Sequence, residues 1–187
     1  MNKEIFSIPN ILSCLRIFLI PAFVFLFVNS GNGVGYHIGA VSVLVVSGLT
    51  DLLDGMIARK FGMVTDLGKI IDPIADYLTQ SATVTCLAVR YKLLIPVAAL
   101  LVIKEIVMAV LGAVSLKKGR TLNGSRWYGK VSTAVFYGVM LILLSVPYRR
   151  MPSAVSAVLI AFSGAWILFS FVMYIHEYVI LWQDIVI

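Results

Sequence analysis

The chain has 187 residues, of which 60% are hydrophobic and 13% are charged, and its mean hydropathy is +0.99. A soluble domain has about 45–50% apolar and about 25% charged residues, so this composition excludes a soluble globular enzyme, a disordered chain and a coiled coil. Because a helix needs about 20 residues to cross a bilayer, the chain can form roughly six membrane-spanning helices with short loops.

The apolar residues fall into six segments separated by glycines, prolines and charged residues. Ser7 and Pro9 stand at the start of the first segment and favour a helix start there. The segment is too long for the apolar part of a cleaved signal peptide. The predicted spans cover residues 8–28, 36–58, 67–89, 93–116, 128–147 and 152–182. Since the sequence contains no internal repeat or linker, residues 1–187 are expected to form a single membrane domain.

Basic residues in the loops predict the orientation of the spans, because Lys and Arg are more frequent in cytoplasmic loops. With a cytoplasmic N-terminus, the cytoplasmic side carries nine of them: Lys3, Arg59, Lys60, Lys69, Lys117, Lys118, Arg120, Arg126 and Lys130. The opposite side carries four: Arg90, Lys92, Arg149 and Arg150. We therefore predict N-in and C-in topology, and we assign the net charge of +6 to topology and anionic lipid, not to nucleic-acid binding.

Acidic residues are concentrated where the second and third spans meet. Five of the nine acidic residues lie between positions 51 and 76, in the pattern D-x2-D-G-x2-A-R-x8-G-x3-D-x3-D. Asp51 and Asp54 are three residues apart and share a helix face, and Asp72 and Asp76 are four apart and share another. Because the intervening residues turn the chain back, the two faces are expected to meet. The predicted fold is six helices around a polar cavity that opens to the cytoplasm.

Four converging carboxylates in a membrane protein require a compensating cation. Inserting one Asp at the centre of a membrane helix costs about 2.5–3.5 kcal/mol, and mutual repulsion adds to this cost. Hard divalent ions such as Mg²⁺, Mn²⁺ or Ca²⁺ suit an all-oxygen site, and the window contains no His or Cys for a softer metal. A single Asp would be explained by a salt bridge to Arg59 or by a solvated helix end. Gly55 and Gly68 fit either close helix packing or the approach of a phosphate.

The complete pattern resembles that of the CDP-alcohol phosphatidyltransferase family, because all eight defining positions match in order and spacing. The resemblance covers nearly the whole chain, including Arg16 in the first helix. The segments 10–13 (Asn-Ile-Leu-Ser) and 129–133 (Gly-Lys-Val-Ser-Thr) are similar to signatures of the branch that contains phosphatidylglycerophosphate and cardiolipin synthases. A match of this length is far more specific than a short glycine motif.

The resemblance implies that a CDP-diacylglycerol donor binds at the cytoplasmic face and that an acceptor hydroxyl attacks it, with release of CMP. It implies two divalent metal ions, Mg²⁺ or Mn²⁺, held by Asp51, Asp54, Asp72 and Asp76, with Asp76 also accepting the proton of the acceptor. Donor-binding residues would be Gly55, Arg59, Thr65, Gly68, Asn10 and Ser13. It further implies a homodimer, and the expected location is a bacterial cell membrane. No Ser-His or Cys-His pair is evident, so we predict one in-line displacement without a covalent enzyme intermediate.

The acceptor is less well specified than the donor. The Gly-Lys signature favours Lys130 as an acceptor ligand, and Arg126 and Lys104 are further candidates. Lys104 and Glu105 are adjacent on a helix and are not expected to form a simple pair. Tyr77, Gly112 and Ser132 stand where phosphatidylglycerophosphate synthases usually have basic residues.

The absence of basic residues at these three positions leaves several functions open. Glycerol 3-phosphate is the first expectation for the acceptor, and phosphatidylglycerol, which would give cardiolipin, is the closest alternative. Serine and inositol phosphate are further acceptors to test. A divalent-cation transporter is the alternative from a different class, because intramembrane acids are typical of cation pathways. The clustering of the acids at one membrane face and the lack of an inverted repeat argue against it.

Overall fold

The computed structural model describes residues 7–63, 65, 67–117 and 126–183, which form only helices and turns. The six helices are α1 (Ile8–Val28), α2 (Val34–Lys60), α3 (Gly68–Ala88), α4 (Leu94–Lys117), α5 (Trp127–Ser145) and α6 (Ser153–Gln183). Short 3-10 turns at Asn29–Gly31 and Tyr148–Arg150 connect α1 to α2 and α5 to α6. The all-α prediction is confirmed, and the predicted spans agree with the observed helices to within about two residues at each end.

Five of the helices are long and apolar enough to cross a membrane, namely α1, α2, α4, α5 and α6. The helix α3 is 21 residues long but does not meet the same criterion, because it carries Asp72, Asp76 and Gln80 within an otherwise apolar sequence. The six-span count therefore stays a prediction, although the sixth helix itself is present. Most of each candidate span faces outward, with apolar side chains such as Phe18 and Val158 exposed as expected for contact with lipid.

The helix α1 packs between α2 and α3, while α4 contacts α3 and α6, and α5 contacts α2, α3 and α6. The apolar core occupies only one half of this bundle, where α1 ends and α2 begins. It includes Phe27, Leu44, Leu87, Leu101 and Met140. In the other half, buried positions of α1, α2 and α3 are mostly polar, with Pro9 and Ala75 among the exceptions. The chain thus separates an apolar half that holds the helices together from a polar half that contains the functional groups.

A glycine cap ends α2 and turns the chain back toward α3. Gly62 has a φ of 62°, a left-handed conformation that glycine adopts at little cost. The Met63 N–H donates to the Ala58 carbonyl at 3.0 Å, as in the Schellman arrangement at helix C-termini. This cap places the acidic end of α2 beside the start of α3.

Candidate active site

Four aspartates from two helices line one cavity of about 830 Å³. Asp51 and Asp54 lie on α2, and Asp72 and Asp76 lie on α3. The i,i+3 and i,i+4 spacings put each pair on one helix face, and the turn at Gly62 brings the two faces together. The structure therefore brings all four predicted carboxylates to one polar space.

Arg16 of α1 binds the two aspartates of α2. Its side chain is fully buried, and its Nη1 lies 2.7 Å from Asp51 Oδ1, while its Nη2 donates to Asp54 Oδ2. Asp54 is also buried, whereas Asp51 is one-third exposed toward the cavity. A guanidinium suits this position because its planar fork can bind two carboxylates at once. Arg16 thus supplies part of the positive charge that the acidic cluster requires.

Ser13, one turn before Arg16 on α1, lies between Asp54 and Asp72. Its hydroxyl oxygen is 2.5 Å from Asp72 Oδ1 and 3.3 Å from Asp54 Oδ2, and it is also 3.1 Å from the Pro9 carbonyl. Because a hydroxyl has only one hydrogen to donate, the short distance favours the bond to Asp72. Ser13 was predicted as a donor-binding residue, and its contacts here link α1 to both acidic helices.

Three other predicted donor-binding residues contact one another at the start of α3. The Thr65 hydroxyl donates to Asn10 Oδ1 at 3.1 Å, and the Gly68 N–H donates to Thr65 Oγ1 at 2.9 Å. A Cβ atom at Gly68 would lie only 2.7 Å from Asn10 Oδ1. Glycine is therefore needed at position 68, because α1 approaches closely there. This agrees with close helix packing, one of the two explanations considered for Gly68.

The remaining two donor-binding candidates lie on α2. Gly55 lines the cavity beside Asp54. The side chain of Arg59 is outside the described part of the chain, so neither a diphosphate contact nor the alternative salt bridge to an aspartate is described for it. The ion pair that the described residues do contain at this cluster comes from Arg16.

Asp76 has different partners from the other aspartates. Gln80 Nε2 donates to Asp76 Oδ2 at 2.8 Å, and the Tyr137 hydroxyl donates to Asp76 Oδ1 at 3.0 Å. Gln80 lies one turn along the same helix, and Tyr137 lies on α5 and also lines the cavity. Both oxygens of this carboxylate are thus held by uncharged donors.

Two of the three acceptor-binding candidates, Lys104 and Lys130, line the same cavity, and the three differ in their ion-pair partners. Lys104 on α4 lines the cavity, but its Nζ lies 3.0 Å from Glu105 Oε1, so the prediction that these neighbours would not pair is wrong. Flexible side chains can reach around a helix even when their Cβ atoms point apart. Arg126 precedes α5, and its Nε lies 2.8 Å from Glu177 Oε2 of α6. Lys130 lines the cavity, is exposed, and has no ion-pair partner among the described residues.

The chemistry of the cavity fits a hard divalent cation. If all four carboxylates are counted as ionised, they and Arg16 leave an excess of three negative charges in the aspartate cluster itself, before Lys104 and Lys130 of the cavity lining are counted. Carboxylate oxygens are the ligands that Mg²⁺ and Mn²⁺ prefer. In the described residues no three His, Cys, Asp or Glu side chains are grouped closely enough to hold one ion. Asp51 and Asp54 are drawn to Arg16, because its guanidinium contacts both carboxylates.

Three residues that bind the aspartates were not assigned to the site from the sequence, namely Arg16, Gln80 and Tyr137. Arg16 had a recognisable signal, because an arginine within an apolar span is costly unless it is paired. Tyr137 had none, because a tyrosine on a membrane helix is ordinarily a packing or interfacial residue.

Comparison with known proteins relates this site to a reaction class. The sequence profile of the CDP-alcohol phosphatidyltransferase family matches residues 6–182. The chain is 29% identical over 176 residues to a CDP-diacylglycerol–glycerol-3-phosphate 3-phosphatidyltransferase of Pseudomonas fluorescens, covering 91% of this chain and 89% of the relative. It is 32% identical over 146 residues to a CMP-forming cardiolipin synthase of Streptomyces coelicolor, covering 77% of this chain and 68% of the relative.

A third relative shares a shorter and more similar segment. It is a CDP-diacylglycerol–glycerol-3-phosphate 3-phosphatidyltransferase of Rickettsia typhi, 43% identical over 72 residues, which are 38% of this chain and 39% of the relative. The profile match over nearly the full chain agrees with the four aspartates around one cavity. This chain belongs to the CDP-alcohol phosphatidyltransferase family.

Proposed function

We propose that this protein transfers the phosphatidyl group of CDP-diacylglycerol to glycerol 3-phosphate, giving phosphatidylglycerophosphate and CMP. The observation that carries this proposal is the cavity in which the four aspartates of the family pattern face Lys130. The names of the relatives from Pseudomonas fluorescens and Rickettsia typhi support the same acceptor. The activity belongs to phospholipid biosynthesis.

The reaction is one displacement at phosphorus. The acceptor oxygen forms a bond to the phosphorus that carries the diacylglycerol group, the bond from this phosphorus to the bridging oxygen breaks, and CMP leaves with the electron pair. The proton of the acceptor hydroxyl passes to the carboxylate of Asp76. The described residues contain no Ser-His or Cys-His side-chain pair for a covalent intermediate, which favours direct transfer.

The family generally depends on a divalent metal, and the aspartates would hold two such ions, Mg²⁺ or Mn²⁺. When bound, these ions would neutralise charge on the attacking and leaving oxygens. Asp51, Asp54 and Asp72 then act as ligands, and Asp76 acts both as a ligand and as the proton acceptor. Arg16 binds both Asp51 and Asp54.

The donor headgroup would bind along α1, α2 and the start of α3. The donor-binding residues we propose are Gly55, Arg59, Thr65, Gly68, Asn10 and Ser13. The contacts among Asn10, Thr65 and Gly68 support a preformed surface, because their positions are fixed before any substrate arrives. A preformed surface loses less conformational entropy on binding than a flexible one.

The acceptor would bind against Lys130, with Arg126 and Lys104 nearby. A second candidate function, synthesis of cardiolipin from phosphatidylglycerol, is supported by two observations. The Streptomyces coelicolor relative is a CMP-forming cardiolipin synthase, and both Arg126 and Lys104 are already paired with glutamates. A phosphodiester acceptor carries less charge than a phosphomonoester and needs fewer free cations. Serine and inositol phosphate are further acceptors, and the family match removes the reason to prefer a cation transporter.

The protein would act as a multi-pass membrane enzyme with all six helices crossing the bilayer. We propose that residues 1–187 form one domain with both termini in the cytoplasm, so that the cavity faces the soluble substrate. The proposed setting is a bacterial cell membrane, and the proposed assembly is a homodimer as in the family. The basic loops support this orientation through the distribution of Lys and Arg.

The test is a CMP-release assay on protein purified in detergent and lipid with CDP-diacylglycerol and Mg²⁺. The acceptors are glycerol 3-phosphate, phosphatidylglycerol, serine and inositol phosphate, each compared with EDTA-treated protein. We expect release with glycerol 3-phosphate, loss in EDTA, and a decrease of about 10²–10⁴-fold in Asp76→Asn, since general base catalysis contributes about this much. Release only with phosphatidylglycerol would instead establish the cardiolipin reaction. No release with any acceptor from folded protein would contradict the proposed transferase activity.

A further inference from the structure

Among the described residues, Asp76 differs from Asp51 and Asp54 in the charge of its donors, and from Asp72 in having a donor on each oxygen. Asp51 and Asp54 bind the charged guanidinium of Arg16, and Asp72 is bound by the Ser13 hydroxyl. Asp76 instead has a donor on each oxygen, and both donors are uncharged. Uncharged donors orient the Asp76 carboxylate without pairing it with a positive charge.

The two donors restrain Asp76 in different ways. Gln80 is four residues further along α3, so its bond at 2.8 Å fixes the carboxylate relative to its own helix. Tyr137 belongs to α5, so its bond at 3.0 Å fixes the carboxylate relative to a different helix. With one donor on each oxygen, rotation of the carboxylate would break one bond or both.

Tyr137 also connects Asp76 to the acceptor side of the cavity. It lies seven residues after Lys130 on α5, which is two helical turns and therefore the same face of that helix. Both residues line the cavity. The α5 helix thus carries the acceptor candidate Lys130 and the group that sets the position of Asp76.

We propose that Tyr137 is a positioning residue, which together with Gln80 aims the Asp76 carboxylate at the acceptor hydroxyl; this inference rests on the proposed transferase function. The acceptor proton moves to Asp76 while the acceptor oxygen forms its bond to phosphorus. Tyr137 keeps its own proton throughout and acts only through Asp76. Proton transfer depends steeply on geometry, because donor and acceptor must lie within hydrogen-bond reach.

The experiment compares Tyr137→Phe with a matched control, Tyr91→Phe. Tyr91 is buried and its hydroxyl lies 3.5 Å from the Leu143 carbonyl of α5, but it lies at the apolar end of the bundle. Both changes delete one hydroxyl and keep the ring. Gln80→Met, which removes the other donor at similar size, is the second variant. For each protein, kcat, the KM values of CDP-diacylglycerol and of the acceptor, and the Tm with EDTA and with Mg²⁺ are measured.

We expect Tyr137→Phe to lower kcat by about tenfold, a part of what general base catalysis supplies, with the KM of CDP-diacylglycerol and the Mg²⁺-dependent rise in Tm unchanged. Gln80→Met should lower kcat in the same way, and Tyr91→Phe should leave kcat near that of the wild type. A kcat for Tyr137→Phe equal to that of Tyr91→Phe would overturn the inference while leaving the transferase activity intact. Wild-type protein that releases no CMP with any acceptor would overturn the proposed function and this inference together.

Discussion

The two sides of the cavity differ in how firmly their functional groups are held. On the side where we propose that the donor binds, here called the donor wall, α2 and α3 line the cavity and α1 packs behind them, and buried side chains of these helices bind one another. On the acceptor wall, formed by α4 and α5, two of the three candidate cations are bound to glutamates and Lys130 is unpaired among the described residues. The residues that we propose to bind the donor therefore form a contact network, whereas the residues that we propose to bind the acceptor are few and have fewer contacts with one another.

This difference follows from the position of the helices. The helix α1 is packed between α2 and α3, and its buried face places Asn10, Ser13 and Arg16 against the acidic pattern. All three side chains are buried. A buried polar group is costly unless it is bound, so the donor wall must be completed by mutual contacts. The acceptor wall faces the open cavity, where water can satisfy a lysine.

The largest expected effect comes from removing the cation of the donor wall with Arg16→Met. Deleting one member of a buried ion pair costs about 3–5 kcal/mol, because the partner charge is left uncompensated. The residual repulsion between Asp51 and Asp54 should make the Tm fall more in EDTA than in Mg²⁺, since a divalent ion can replace part of the missing charge. Thermal unfolding in detergent with either additive measures both effects.

Arg90→Met is the matched control for that experiment. Arg90 lies at the other end of the bundle, with its guanidinium 4.2 Å from the centre of the Phe27 ring. Its loss should lower the Tm by the same amount in EDTA and in Mg²⁺. If Arg16→Met also lowered the Tm by the same amount in EDTA and in Mg²⁺, Arg16 would not be the counter-ion of the acidic cluster.

A smaller effect is expected from Gly68→Ala, which tests whether the donor wall is as tightly packed as its contacts indicate. The added Cβ would lie 2.7 Å from Asn10 Oδ1, and such overpacking costs about 1–3 kcal/mol. We expect a lower Tm and a higher KM for CDP-diacylglycerol, measured by thermal unfolding and by CMP release. Gly35→Ala is the control, because a Cβ there meets no atom within 4 Å.

The double variant Asn10→Ala with Gly68→Ala separates packing from donor contact. Removing the Asn10 side chain relieves the clash, so the Tm should recover relative to Gly68→Ala alone, as expected for residues in direct contact. The KM of CDP-diacylglycerol should stay high if Asn10 binds the donor. Recovery of both quantities would mean that Asn10 has only a structural role.

The sequence was sufficient to predict where the helices lie and which helix faces carry the aspartates. The bounds of α1 were predicted at 8 and 28 because Ser7, Pro9 and the glycines after Asn29 mark both ends, and the structure confirms them. The convergence of the aspartates was predicted from their spacing, since residues three or four apart share a helix face, and from the turn of the chain between the two helices. Local patterns of this kind are properties of one helix or of one turn.

The contacts between helices were not predictable in the same way. Arg16 meets Asp54 across 38 residues of chain, and Tyr137 meets Asp76 across 61, so both contacts depend on how whole helices pack. The pairing of Lys104 with Glu105 was predicted wrongly for the opposite reason: the spacing rule describes Cβ directions and ignores the reach of long side chains. Sequence patterns therefore identify faces, and packing decides which partners those faces meet.

The smallest expected effect comes from Lys130→Gln. This variant tests directly whether the two walls bind different substrates. Losing one charge-assisted contact to a phosphate should raise the KM of glycerol 3-phosphate about tenfold, equivalent to about 1.4 kcal/mol. The KM of CDP-diacylglycerol should not change, because the donor wall is intact. The rise should be smaller with phosphatidylglycerol, since a phosphodiester carries one negative charge where a phosphomonoester carries up to two.

Lys92→Gln is the control, an exposed lysine in the turn between α3 and α4 at the other end of the bundle. Its removal should leave every KM unchanged. A rise in the KM of CDP-diacylglycerol for Lys130→Gln would contradict the division into two walls, because Lys130 would then contact the donor. An equal rise for both acceptors would show that Lys130 binds a feature they share, such as the glycerol hydroxyls, and that acceptor choice lies with Arg126 or Lys104.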